Sequence, residues 1–244
     1  MIPSKLLLTG TAIALLGGAL SAQSFTELPS DVWQVSDITP DGEIIVGSGT
    51  GGAFTWRWKT DPAPTWLGEH SAVAVSDDGS VIAGQMIEPT TGREIAARWT
   101  ASSGWTSLNA ENSFASCGGA LSSVADITGD GSTIVGGTWL NTCEYWVYKW
   151  TEAGGVEILE GIGDTSFWLT NNVRAVSDDG STVVGFAQGN FSRTPARWDA
   201  VTKLGTIPAM DDVGEYYGVS SDARFLVGGR NGDAFYQEWD ALQG

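Results

Sequence analysis

The segment AVAVSDDGSVIAG (72–84) occurs five times in related form along the 244-residue chain. An Asp-Gly pair between two runs of β-prone residues is a strong hairpin signal, because glycine accepts a positive φ at low cost. Each copy therefore predicts two antiparallel strands, A and B, joined by a tight turn. The five copies are VSDITPDGEIIVG (35–47), AVAVSDDGSVIAG (72–84), VADITGDGSTIVG (124–136), RAVSDDGSTVVG (174–185) and GVSSDARFLVG (218–228).

Each copy is followed by a tryptophan 11 to 15 residues after its closing glycine, and four copies then continue into a Leu-containing segment. These positions predict a third strand, C, that ends at the tryptophan, and a fourth, D, around the leucine. The anchor aspartates are Asp41, Asp78, Asp130, Asp179 and Asp222. The closing glycines are Gly47, Gly84, Gly136, Gly185 and Gly228. The tryptophans are Trp58, Trp99, Trp150, Trp198 and Trp239, and the leucines are Leu67, Leu108, Leu159 and Leu204.

Four strands in a repeat of roughly 40 to 50 residues are typical of β-propeller blades. We expect an all-β fold: a single five-bladed β-propeller of four-stranded antiparallel blades over residues 23–244. The fifth repeat lacks a strand D, and the segment Phe25–Pro29 resembles the strand-D segment Leu204–Pro208. The N-terminal strand is therefore predicted to complete the last blade and hide two sheet edges. The alternative is that the five repeats are a fragment of a longer array.

The first 22 residues are predicted to be a secretory signal peptide. Lys5 gives a short positive region, an apolar run follows from Leu6 to Leu20, and small residues precede Gln23. The run is shorter than the ~20 residues that a membrane span needs, although a retained N-terminal anchor is the alternative. We expect a secreted, extracellular or periplasmic protein with no membrane span after cleavage.

The charge balance argues against one class of partner. The chain has 29 acidic and 12 basic residues, a net charge of −17, so its surface repels a polyanion and nucleic-acid binding is not expected. We expect a monomer without a cofactor. A single histidine, His70, argues against a zinc site and against a cysteine nucleophile. The two cysteines, Cys117 and Cys143, are expected to form a disulfide in an oxidising compartment.

Two of the repeats resemble a known family. The segments AVSDDGSVIAG…AARW (74–99) and AVSDDGSTVVG…PARW (175–198) resemble the HAF-repeat proteins, which are extracellular and bacterial. The resemblance covers nearly all of the chain after the signal peptide, and implies a repeat fold without a defined activity. The hairpin is also similar to the TolB-type propeller repeat and, more loosely, to the Asp-box of sialidases. The aromatic residue that follows the Asp-box glycine is replaced here by Val or Ile.

The repeated residues are expected to build the fold. The anchor aspartates fit Asx-turns, and the five tryptophans fit packing between neighbouring sheets. Asp37 and Asp126 occupy a strand-A position that is small in the other repeats. They could face the central channel and bind a cation, although solvation or pairing with Arg174 is the simpler expectation, and no metal site is predicted.

Aromatic residues outside the repeat phase are the candidates for ligand binding. They precede strand A or follow strand B, so they should gather with His70 at one loop-rich face, where exposed rings could stack on a sugar or hold a peptide. The alternative is that they only pack the inserted loops. The predicted ligand-binding residues are Trp33, His70, Trp139, Trp168, Phe186, Phe191 and Tyr216.

Two functions remain open on the sequence. The first is a secreted non-catalytic binding module for a glycan or an extracellular protein. The second is a carbohydrate-active enzyme of the glycoside hydrolase type, which needs two well-placed carboxylates. No catalytic residue is singled out, because no acidic residue has a distinctive setting in the repeat pattern.

Overall fold

A computed structural model describes residues 27–111, 120–140, 143–163, 170–188, 193–206 and 213–239. Every regular element in these ranges is a β-strand, which confirms the all-β prediction. The same ranges contain no helix of the length and apolarity that crossing a bilayer requires. The signal peptide predicted at residues 1–22 lies outside the described residues.

The first two repeats each form a four-stranded antiparallel sheet with neighbouring strands in sequence order. Repeat 1 consists of β1 (Val32–Ile38), β2 (Ile45–Gly49), β3 (Gly52–Trp56) and β4 (Thr65–Trp66). Repeat 2 consists of β5 (Ser71–Val75), β6 (Val81–Ile87), β7 (Glu94–Thr100) and β8 (Gly104–Ser107).

Repeats 3 and 4 have the same strand order, and one parallel pairing between Tyr145 and Thr170 joins them into a single sheet of eight strands. Repeat 5 has three described strands. Repeat 3 consists of β9 (Ser122–Ile127), β10 (Thr133–Trp139), β11 (Tyr145–Thr151) and β12 (Gly155–Ile158). Repeat 4 consists of β13 (Thr170–Val176), β14 (Thr182–Gln188), β15 (Arg193–Asp199) and β16 (Gly205–Thr206). Repeat 5 consists of β17 (Gly214–Val219), β18 (Phe225–Arg230) and β19 (Asp233–Glu238).

The anchor aspartates build the turns between strands A and B, as the sequence predicts. In repeat 1, Asp41 Oδ1 accepts hydrogen bonds from the Thr39 hydroxyl at 2.6 Å and from the Glu43 backbone N–H at 2.9 Å. The other four repeats show the same pair of bonds. These bonds favour the charged form, and hydrogen bonding to Thr39 lowers the pKa of the Asp41 carboxyl.

The closing glycines are required because strand A bulges toward them. Each repeat has a register shift in its A–B pairing next to the closing glycine. A Cβ on Gly185 would lie 2.0 Å from the carbonyl oxygen of Asn172 on the partner strand. The closing glycines of the other repeats meet the same obstacle, at 2.0 to 2.3 Å. The repeated glycine therefore marks a close approach of two backbones.

The core lies between consecutive repeats, because strand A of each repeat packs on the sheet before it. Three strand-A residues in corresponding positions, Val75, Ile127 and Val176, are each only 6% exposed under the preceding repeat. On the facing side, strand B contributes one central apolar residue. That residue is fully buried in repeats 1 to 4, at Val46, Ala83, Val135 and Val184.

The two end faces of the array are open. Ile38, the counterpart of Val75 in repeat 1, is 49% exposed, and Val227, the counterpart of Val184 in repeat 5, is 47% exposed. Among the described residues, no sheet covers these two positions. Of the predicted closing segment Phe25–Pro29, residues 27–29 are described and form no strand. Leu28 packs on repeat 1 instead, and the closed five-bladed ring stays a prediction.

The predicted tryptophan register is correct in repeats 2, 3 and 4 and wrong in repeats 1 and 5. Trp99, Trp150 and Trp198 lie opposite the strand-B residues Ile82, Ile134 and Val183. The corresponding partner pairs in the end repeats are Ile45 with Trp56 and Leu226 with Gln237. Trp58 and Trp239 come two residues later, after strand C has ended, and pack against the cores of repeats 1 and 5.

Candidate functional site

The B-to-C and D-to-A connections lie at the same ends of the strands, and the predicted ligand-binding residues lie beside them. Trp33, on β1, is 71% exposed. His70 precedes β5 and contacts Trp105 edge-on, with ring centroids 5.5 Å apart. Burial lowers the pKa of His70, and its buried Nδ1 has no hydrogen-bond partner among the described residues. Trp168 and Phe191 lie outside the described residues.

Two of the predicted ligand-binding residues are buried, so their assignment as exposed stacking platforms is wrong. Phe186 is 3% exposed and Tyr216 is fully buried. Tyr216 is the strand-A residue that packs repeat 5 on repeat 4, where its hydroxyl donates to Gln237 Oε1 at 2.6 Å. The equivalent strand-A position holds the buried residues Ala72, Val124 and Val173 in repeats 2, 3 and 4. A tyrosine at this position is therefore part of the core.

The predicted aromatic residues do not form one dish. Within the described ranges, no ring contact joins any two of them. Trp139 is instead paired with a residue that the sequence did not single out, Tyr145. The two rings meet edge-to-face, with centroids 4.9 Å apart and an interplanar angle of 61°.

A hollow of about 300 Å³ lies beside this aromatic pair, at the seam between repeats 3 and 4. The Tyr145 hydroxyl is hydrogen-bonded to the Ser123 hydroxyl at 2.5 Å, which holds the ring in place, and burial raises the pKa of Tyr145. The hollow is lined by Ala120, Ser122, Trp139, Tyr145, Thr170 and Asn172. We call this group the Trp139 hollow. It offers aromatic, hydroxyl and amide groups in one place.

A larger cleft, of about 480 Å³, lies between repeats 4 and 5. We call it the Arg193 cleft. Arg193, Glu215, Tyr217, Arg230 and Asp233 contribute its charged and aromatic lining, together with the backbone of glycines on β18. The sequence gives no sign of this cleft, because its arginines come from separate repeats and follow no shared motif.

Glu215 is the centre of an ion-pair group at this cleft. Its Oε2 accepts hydrogen bonds from Arg174 Nε at 3.2 Å and Nη2 at 2.9 Å. Its Oε1 lies 3.6 Å from Arg193 Nη1. Both guanidinium groups also stand over the Phe186 ring, with the guanidinium carbon 5.7 Å from the centroid for Arg174 and 4.6 Å for Arg193. Phe186 is therefore a support for two arginines.

Asp37 and Asp126 join consecutive repeats through hydrogen bonds to backbone N–H groups. Asp37 Oδ2 accepts a hydrogen bond from the Val75 N–H, and Asp126 Oδ2 accepts one from the Val176 N–H, each at 2.9 Å. The expected alternative partner, Arg174, pairs with Glu215. The part of the chain that is described contains no group of three or more His, Cys, Asp or Glu side chains arranged to hold a metal ion.

Only one of the two cysteines of the predicted disulfide lies in the described residues. Cys143 lies in the connection between β10 and β11, in a left-handed conformation with φ of 61°. Cys117 lies outside the described residues. The pairing of Cys117 with Cys143 stays a prediction.

Comparison with known proteins gives matches in structure alone. No protein-family model matches the chain, and no curated protein does either, so membership of the HAF-repeat family stays a prediction. TolB from Acinetobacter baumannii is 14% identical with a TM-score of 0.52, over 80% of this chain and 47% of that chain. Prolyl oligopeptidase B from Galerina marginata is 15% identical with a TM-score of 0.58, over 84% of this chain and 32% of that chain.

The β-propeller domain of Cps50 (Swd1) from Myceliophteria thermophila is 10% identical with a TM-score of 0.52, over 85% of this chain and 66% of that chain. The fold is therefore of the β-propeller type, and TolB is one of the propeller proteins that it is similar to. The chain spans less than half of the Acinetobacter TolB and about a third of the oligopeptidase. At such low identity these neighbours establish the fold alone. The function has to be inferred from the residues of the candidate site.

Proposed function

We propose that this protein is a secreted, non-catalytic binding module that recognises a glycan at the loop-rich face of its propeller. The Trp139 hollow carries the proposal. Its Trp139–Tyr145 pair stands beside the side chains of Ser122, Thr170 and Asn172. Export rests on the predicted signal peptide at residues 1–22.

Sugars suit this combination of groups. The C–H face of a pyranose stacks on an aromatic ring, while its hydroxyl groups need hydrogen-bonding partners. Trp139 is half-buried at the rim, and the amide of Asn172 can both donate and accept. The Tyr145 ring is held by its hydroxyl bond, so little ordering is required when a ligand binds.

The test is a glycan array followed by calorimetry with the mature protein, residues 23–244. Trp139→Ala should weaken binding of the selected glycan about tenfold, the effect expected from losing one stacking contact of ~1.4 kcal/mol. The matched control is Tyr236→Ala, which removes a ring that is 77% exposed in repeat 5 and distant in the chain from the hollow. Unchanged affinity in a folded Trp139→Ala variant would contradict the proposal, as would binding of an extracellular protein without any glycan.

The hydrolase alternative has one observation in its favour, because Glu215 and Asp233 line the same cleft. Both oxygens of Glu215 face guanidinium groups, however, and this carboxylate holds the arginines in place. Release of reducing sugar from the array hits, abolished by Asp233→Asn, would favour the enzyme.

A further inference from the structure

We propose that the Arg193 cleft binds the carboxylate of an acidic sugar residue, which makes the ligand of the proposed binding module a uronate-containing glycan. The inference rests on the proposed function and extends it to a second contact area at the neighbouring seam. The group that we expect in the cleft is a carboxylate with one negative charge, on a ligand that is rich in hydroxyl groups.

Positive charge is concentrated at the Arg193 cleft. The chain has a net charge of −17 and only 12 basic residues, so its surface as a whole repels anions. Three of those basic residues, Arg174, Arg193 and Arg230, lie at this one seam. Concentrating cations at a single cleft of an acidic protein directs an anion to that place.

The ion pairs at the cleft contain more arginines than carboxylates. Arg174 and Arg193 share one carboxylate, that of Glu215, which leaves the group of three side chains with an excess positive charge. The Arg174 and Arg193 side chains are 40% and 49% exposed, whereas that of Glu215 is 12% exposed. The guanidinium groups therefore meet solvent while the internal carboxylate lies behind them.

The guanidinium group of Arg193 is preorganised for binding a carboxylate. Its guanidinium stands over the Phe186 ring at 4.6 Å and makes only a 3.6 Å ion pair with Glu215, which is longer than a hydrogen bond. A guanidinium has five N–H donors in one plane, and two of them match the two oxygens of a carboxylate. Ring and ion pair fix the plane, so bidentate binding costs little side-chain entropy.

The other groups that line the cleft favour a sugar that carries a carboxylate. Tyr217 presents an exposed ring to the cleft and lies against Gly229 of β18, and Asp233 supplies an acceptor for hydroxyl groups. Glu215 and Asp233 repel any anion, and the second charge of a phosphate dianion would also exceed the single positive charge by which Arg174 and Arg193 outnumber Glu215. A volume of about 480 Å³ accommodates one or two sugar residues.

The experiment is calorimetry of the mature protein with oligogalacturonate and with the same oligosaccharide methyl-esterified, which removes the charge and keeps the sugar. We expect the acid form to bind at least tenfold more tightly, and this preference to shrink as ionic strength rises. Arg193→Gln should abolish the preference. The control Arg224→Gln changes the net charge equally, but at an exposed pair with Glu238 outside the cleft, and should keep it.

The outcomes separate this inference from the proposed function. Equal binding of the acid and ester forms, with sensitivity to Trp139→Ala, overturns the carboxylate site and leaves glycan binding standing. Loss of the preference in both arginine variants shows a long-range charge effect and also overturns it. Binding of acidic peptides in place of the oligosaccharide overturns the sugar class, and absence of binding to every acidic and neutral glycan overturns both proposals.

Discussion

The carboxylate of Asp126 in repeat 3 accepts a hydrogen bond from the backbone N–H of Val176 in repeat 4, at 2.9 Å. Its other oxygen accepts from the Ile127 N–H at 2.8 Å, so one side chain ties two consecutive repeats together. Asp37 makes the same bond to Val75 between repeats 1 and 2. Asp126, which could have faced the central channel on the sequence alone, thus connects two repeats.

This connection predicts a pH dependence. Burial raises the pKa of Asp126 to about 6 from an ordinary value of 3.8. Because the folded-state pKa is the higher one, the folded protein binds the proton more tightly, and stability rises as the pH falls from about 6 toward 4. The gap corresponds to at most about 3 kcal/mol. The test is chemical denaturation of wild type and Asp126→Asn at pH 7 and pH 4.5. The free energy of unfolding of wild type minus that of the variant should be larger at pH 4.5.

The opposite sign is expected at an anchor aspartate. Hydrogen bonding to Thr128 lowers the pKa of Asp130, so its contribution is present above the unfolded pKa and is lost as the pH falls through the folded value. Asp130→Asn is therefore the control: its difference from wild type should stay constant between pH 7 and pH 4.5 and shrink only below the ordinary pKa of 3.8. If the difference in unfolding free energy between wild type and Asp126→Asn is the same at both pH values, the raised pKa of Asp126 is contradicted.

The turn of repeat 5 contains a correctable strain. Its hairpin has Ala223, with φ of 60°, where the other repeats have a glycine with φ of 66 to 72°. An L-residue in this conformation costs about 1 kcal/mol. Ala223→Gly should raise the free energy of unfolding by up to that amount, measured by denaturant titration.

The matched reverse substitution is Gly42→Ala in repeat 1. A Cβ there meets no atom closer than 3.9 Å, so only the backbone conformation is penalised. It should destabilise by about the same ~1 kcal/mol. If Ala223→Gly destabilises while Gly42→Ala is neutral, the left-handed turn is not the shared feature of the repeats.

The open end faces can be tested with two valines in corresponding positions. Val184 is fully buried under repeat 5, and Val227 is 47% exposed on the outer face of repeat 5. Val184→Asp should cost several kcal/mol, because an unpaired carboxylate would be buried. Val227→Asp should change the free energy of unfolding by less than about 0.5 kcal/mol. Equal, large losses would show that another sheet covers Val227 in solution, as ring closure requires.

The predicted disulfide has a direct test. Cys117 and Cys143 are 26 residues apart, and closing a loop of that length stabilises a fold by roughly 3 kcal/mol in the chain-entropy model. Non-reducing mass spectrometry of protein exported to an oxidising compartment should find the linked peptides, and reduction should lower the melting temperature. Two alkylatable thiols in the exported protein would refute the pairing.

Part of the candidate site follows from the sequence. Trp139 lies where the end of strand B was expected to present an aromatic residue, and Trp33 is exposed as expected. Phe186 and Tyr216 were misjudged because being out of the repeat phase says nothing about which side of a sheet a residue faces. Glu215 was not recognised, because its partners Arg174 and Arg193 lie 41 and 22 residues away and belong to a different repeat.

The sequence by itself determined the local structure: five Asp-anchored hairpins, a glycine wherever strand A approaches strand B, and a four-strand order in repeats 1 to 4. These features depend on φ preferences and on hydrogen bonds within five residues, which each repeat encodes alone. Tertiary structure decided which side chains meet across the seams. Ile38 and Val75 have equivalent places in their repeats, yet only Val75 is covered, because burial depends on having a neighbouring sheet.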